Sequence, residues 1–130
     1  MSLRKITSVK IPTITPDASG DGTETSNVLG GRILAVYVKY AASSAAGTDV
    51  VIATAGNTGG ANTILTLTNK NTSGWYYPRH QIHDATGAGI TYDGTNEVYD
   101  TVPILDSVKV TVDEATENKT VDVTLLMETF

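Results

Sequence analysis

The sequence predicts an all-β domain: a two-sheet antiparallel sandwich of about eight strands with a jelly-roll-like arrangement. Three observations predict it. Threonine is overused, and with valine, isoleucine and tyrosine it supplies the β-branched and aromatic side chains that suit a pleated, half-buried surface. Short segments alternate apolar and polar residues with a period of two, and none carries a helical period. Clusters of Gly, Asn, Asp and Ser separate these segments as turns.

In chain order, Leu3, Ile6, Val9 and Ile11 interleave with Arg4, Lys5, Thr7 and Lys10 as an N-terminal strand or docking arm, ended by Pro12 and Pro16. The polar stretch PDASGDGTETSNVLGG follows and is expected to be a linker, mobile or held by a partner. The chain thereby divides into an arm and linker over 1–31 and a β-sandwich domain over 32–130. Residues 32–40, RILAVYVKY, carry the strongest strand signal. Leu34, Val36, Val38 and Tyr40 fall on one face, and Ile33, Ala35, Tyr37 and Lys39 on the other. Two apolar faces place it near the middle of a sheet.

Residues 49–53 and 63–68 form a hairpin across the glycine-rich AGNTGGAN, and Trp75-Tyr76-Tyr77-Pro78 reads as a sheet edge or strand end. DATGAGITYDGTNE is a long loop in which Gly87, Gly89 and Gly94 permit positive φ, with Ile90 and Tyr92 as anchors. Strands are expected at 98–104, 107–113 and 120–128, with DEATENK as the hairpin loop between the last two.

A chain of 130 residues with 40% hydrophobic and 18% charged side chains supports one core and one folded domain. No stretch approaches the roughly 20 apolar residues needed to cross a bilayer, so no membrane partner is expected. Met1 to Pro12 lacks the apolar block of a signal peptide, which predicts an intracellular place of synthesis. With no cysteine, disulfides and thiolate chemistry are excluded. A net charge of −5 argues against a nucleic-acid partner, because phosphate neutralisation needs a Lys/Arg surface. The charge is segregated: Arg4, Lys5, Lys10, Arg32 and Lys39 outnumber Asp17, Asp21 and Glu24 before residue 41, and acids dominate afterwards. Two readings stand: a basic arm that docks on an acidic neighbour, or an edge strand guarded by Lys and Arg.

No catalytic motif is present: GxSxG, the P-loop and GxGxxG are all missing. His80 and His83 with Asp84 have a ligand-like spacing, but on an extended segment that spacing sends the two rings to opposite faces; a loop or turn could still bring them together, and no metal site is assigned. Asp17, Ser19, Asp21 and Gly22 imitate the start of a calcium loop, yet Val28 stands where a bidentate Glu is required. Asp93, Asn96 and Glu97 offer oxygens for a cation, and the same residues are what a plain turn demands. Asp113 and Glu114 are adjacent carboxylates in the expected hairpin loop. Asn71-Thr72-Ser73 and Asn118-Lys119-Thr120 match glycosylation sequons by chance. No cofactor is expected. The cluster Trp75, Tyr76, Tyr77 is read as sheet packing or as a contact platform.

GGRILAVYVKY, TDVVIAT, TILTLTNKNTSGWYYPR, HDATGAGITYDGTNE and the two closing valine-rich strands resemble, in pattern and order, a group of small tailed-phage virion structural proteins of the capsid decoration (cement) type. The resemblance runs from about Gly30 onward. It implies a non-enzymatic bacteriophage protein on the capsid surface, made in the host cytoplasm, that binds the major capsid protein and stabilises the shell as a homo-oligomer, a trimer being the state that suits a quasi-threefold capsid site. In that setting the expected contact residues are Leu3, Arg4, Lys5 and Ile6 of the arm, with Trp75, Tyr76, Tyr77 and Arg79. The alternative is a β-sandwich module of a tail or fibre that binds host-surface glycans through the aromatic cluster.

Overall fold

The computed structural model describes residues 4–129; Leu3 lies outside them. Eight antiparallel strands and no helix make up the described chain: β1 Lys5–Lys10, β2 Gly22–Tyr40, β3 Asp49–Thr54, β4 Thr63–Leu67, β5 Gly74–Tyr76, β6 Arg79–Gln81, β7 Tyr99–Asp113 and β8 Val121–Thr129. Their order is β1-β8-β2-β7-β3-β4, with β5 on β2 and β6 on β7. The expected all-β sandwich is what forms. The nested pairs β1·β8 and β2·β7 give it a jelly-roll-like outer layout.

Two long strands join the layers. The first half of β2 pairs with β7, its second half pairs with β8 and β5, and Arg32 and Ile33 belong to both ladders. One sheet is therefore β4-β3-β7-β2 and the other β1-β8-β2-β5. Their inner faces enclose a single cluster that includes Val50, Ile52, Val108, Val110 and Val112 from one sheet and Val36, Val38, Val121, Val123 and Leu125 from the other. Burying each such side chain is worth about 1.5–3 kcal/mol.

The alternation read from 32–40 is broken at Leu34. A register shift between Ile33 and Ala35 makes Leu34 the extra residue of a β-bulge, so Ile33 and Val36 share the core face although they stand an odd number of positions apart. The central position expected for this segment holds.

Three expectations are corrected. Residues 22–31 are not linker but the first ten residues of β2, paired with β7. This strand half looked polar because its core-facing slots hold Gly22 and Glu24; the apolar filling comes from Ile11 and Ile14, both fully buried. A Cβ at Gly22 would stand 2.7 Å from the Ile14 side chain. Residues 5–14 thus belong to the sandwich, and the boundary at 31 does not separate two bodies. Second, 98–104 and 107–113 are one strand, β7. Third, DEATENK is not a hairpin loop: β7 and β8 do not pair but flank β2, so the loop crosses from one sheet to the other. Its crossing is tied down where Ala115 N donates to Gly20 O at 3.0 Å and Asn118 N donates to Pro16 O at 3.1 Å.

Candidate functional site

Of the expected contact residues, the register places Lys5, Ile6, Trp75 and Tyr76 on the β1-β8-β2-β5 sheet, whereas Arg79 lies on β6, paired with β7. Ile6 stands opposite Glu128, which stands opposite Arg32. Two steps along the same face, Lys10, Thr124, Tyr37 and Trp75 form another row. Both rows face outward, away from the row of Val9, Leu125, Val36 and Tyr76 that turns to the core. Ile6 and Trp75 therefore share a face but occupy opposite edges, roughly 14 Å apart across the strands and roughly 13 Å along them, about 20 Å in all.

Two cations of the basic arm and one of β2 are paired within the chain. Arg4 pairs with Glu128 at 3.1 Å, Lys10 with Asp122 at 3.5 Å and Arg32 with Asp100 at 3.2 Å. The charge segregation seen in sequence is thus cancelled in space, because β8 and β7 bring acids beside β1 and β2. β1 is an outermost strand of its sheet, carrying Lys5 and Lys10 as edge guards.

Of the aromatic cluster, Tyr76 packs on the core, Trp75 tilts against Tyr37 with ring centroids 5.1 Å apart, and Tyr77 is exposed. Arg79 is held by structure: its Nη1 donates to the carbonyls of Leu34 at 3.1 Å and Pro78 at 2.7 Å.

Beyond Arg79 the chain leaves the sandwich as a projecting lobe that returns at β7. Sequence reading saw a long loop here and did not foresee β6. Three residues eight apart close a ring of backbone hydrogen bonds: Ile82 N donates to Val98 O at 2.8 Å, Val98 N to Ile90 O at 3.3 Å and Ile90 N to Ile82 O at 2.9 Å. Asp84 Oδ1 accepts from Thr86 N, Thr86 Oγ1 and Ala88 N. Asp93 Oδ1 accepts from Thr95 N and Asn96 N. The Thr86 hydroxyl and amide hold the Asp84 carboxyl below the usual range, and the Asn96 and Thr95 amides do the same for Asp93. These carboxylates staple turns, so the turn reading of the 93–97 loop is the one the geometry supports. Glu97 accepts from the Tyr99 hydroxyl, which raises the phenol pKa.

His80 and His83, expected on opposite faces, instead line one open groove of about 390 Å³ with Arg32, Ile82, Asp100 and Thr101. Among the described residues no group of three or more His, Asp or Glu side chains is arranged to hold a metal ion. At the far end of the molecule Asp17 Oδ1 accepts from Ser19 N and Asp21 N. A hydrogen bond with Asp113 raises the pKa of Asp21.

Sequence reading missed Asp106. It is 4% exposed and accepts from Ser107 N through Oδ1 and from Gly56 N and Asn57 N through Oδ2. Desolvation pushes its pKa up, but the amides of Ser107, Gly56, Thr58 and Asn57 outweigh it and hold the carboxyl low. Its signal was an acid at an inward-alternating position of a strand.

No protein-family model and no curated protein sequence matches the chain. Among solved structures, one described as "Family 16 Carbohydrate Binding Module-2" superposes with a TM-score of 0.38 at 12% identity, over 91% of this chain and 74% of that one. That overlap is too loose to transfer a residue role or a ligand.

Proposed function

We propose that the chain is a non-enzymatic structural protein of a tailed-phage virion, a decoration protein that binds the major capsid protein on the outer shell and stabilises it in repeated copies. The observation that carries this reading is the presentation of large apolar side chains on a rigid sandwich: Ile6 is 67% exposed and Tyr77 64% exposed. Side chains of this kind at many equivalent sites gain avidity from multivalent attachment. The order of motifs from Gly30 onward supports the phage assignment. The carboxylates Asp84, Asp93 and Asp106 are occupied by backbone amides, as structural groups are. The test is co-sedimentation with shells stripped of this protein. Saturable binding that raises shell melting temperature is expected; no binding at micromolar protein overturns the proposal.

A glycan-binding module of a tail or fibre is the second reading, favoured by Trp75, half-exposed and braced by Tyr37. Glycan-array binding lost in Trp75→Ala supports it, and array silence removes it.

A further inference from the structure

Three large exposed apolar side chains lie close together in sequence on one segment. Ile90 is 37%, Tyr92 72% and Tyr99 55% exposed, all on the lobe between β6 and the start of β7. The same lobe carries Asp84, Asp93 and Glu97, which among the described residues enter no salt bridge. No lysine or arginine occurs between Arg79 and Lys109. An aromatic, acidic surface has been built on a segment with little core of its own, and it is fixed by the backbone ring of Ile82, Ile90 and Val98 and by two aspartate-stapled turns. A surface ordered before contact loses little conformational entropy on binding.

We infer that this lobe is the surface that meets a partner, and that the partner presents a basic, arginine-lined protein patch. The chemistry matches on both counts. A guanidinium stacks on a tyrosine ring and pairs with a carboxylate through the same planar fork. Asp84, Asp93 and Glu97 supply the carboxylates, and Tyr92 and Tyr99 the rings. The β1 edge is the poorer candidate, since Arg4 and Lys10 already face Glu128 and Asp122. The inference builds on the shell-binding reading and names the face that would be used.

Two measurements separate the inference from that reading. Retention of the full chain on immobilised poly-L-arginine is compared with poly-L-glutamate at low and raised salt, and shell co-sedimentation is run alongside. Wild type, Tyr92→Arg and Val28→Asp are tested in each. Tyr92 is exposed, so Tyr92→Arg should keep the wild-type circular dichroism spectrum and melting temperature. Wild type should bind poly-L-arginine and lose affinity with salt, Tyr92→Arg should bind about tenfold more weakly, and Val28→Asp, at an exposed position of β2 outside the lobe, should stay within about twofold of wild type. Equal binding by Tyr92→Arg and wild type in either assay overturns the lobe assignment, as does salt-independent binding. Retention on poly-L-arginine without shell binding overturns the shell reading and leaves the basic partner supported.

Discussion

Arg79 donates through Nη1 to the carbonyl of Leu34 at 3.1 Å, at the bulge where β2 exchanges one neighbour for another. Up to Ile33 the strand pairs with β7; from Val36 it pairs with β5 on that flank. The guanidinium satisfies a carbonyl at this junction and fastens the segment from which the lobe springs. Arg79→Met is expected to loosen 74–98 while sparing the sandwich. Hydrogen exchange should rise in that segment, and global stability should fall by only about 1 kcal/mol. Unchanged exchange there would show that the contact is incidental.

Asp106 should give the fold an acid-sensitive element. Its folded pKa is depressed, so its stabilising contribution is complete above the unfolded carboxyl value and is lost as pH falls through the lower folded one. Urea midpoints measured from pH 7 downward should decline less steeply in Asp106→Asn than in wild type, from a lower starting value. Parallel curves would contradict this.

Tyr40 is 6% exposed and its hydroxyl has no hydrogen-bond partner among the described residues. Tyr40→Phe should raise stability by about 1 kcal/mol, since it removes a buried polar group that nothing satisfies. Burial, with Tyr76 and Asp49 adding, pushes the phenol up to about 12. A raised folded value means full stabilisation below about pH 10, the ordinary value for tyrosine, and loss of it as pH rises towards 12. Alkaline unfolding should therefore shift upward in Tyr40→Phe; a lower melting temperature at pH 7 would refute the assignment.

Gly31 lies inside β2 at φ 141°, and a Cβ there would collide with the Glu128 carbonyl. Gly31→Ala should cost on the order of 1–3 kcal/mol, read as a lower urea midpoint with unchanged slope. Gly30→Ala, one residue away with its Cβ 3.4 Å from Leu105, is the control and should cost less.

These positions also explain what sequence could and could not convey. The strands of 49–54, 63–67 and 121–129 were readable because their apolar residues alternate towards a core they fill themselves. The first half of β2 was hidden because Ile11 and Ile14 fill the core above Gly22, and Gly30-Gly31 looked like a turn. The bulge at Leu34 reversed the faces assigned to Ile33, since a one-residue shift carries no local mark. Contact residues were harder still. Ile6 and Trp75 could be named, but only the register puts them on a common face. The ion partners of Arg4, Lys10 and Arg32 lie about 70 or more residues away along the chain, beyond any local pattern.

β8 lies between β1 and β2, although it is synthesised long after either. Until residues 121–129 emerge from the ribosome, β1 has no ladder partner and the core lacks Val121, Val123, Leu125 and Met127. Folding must then finish by inserting a late strand into the middle of a waiting sheet, a slow, non-local step. A truncation before Val121 would therefore remove the keystone of the sandwich and not a dispensable edge.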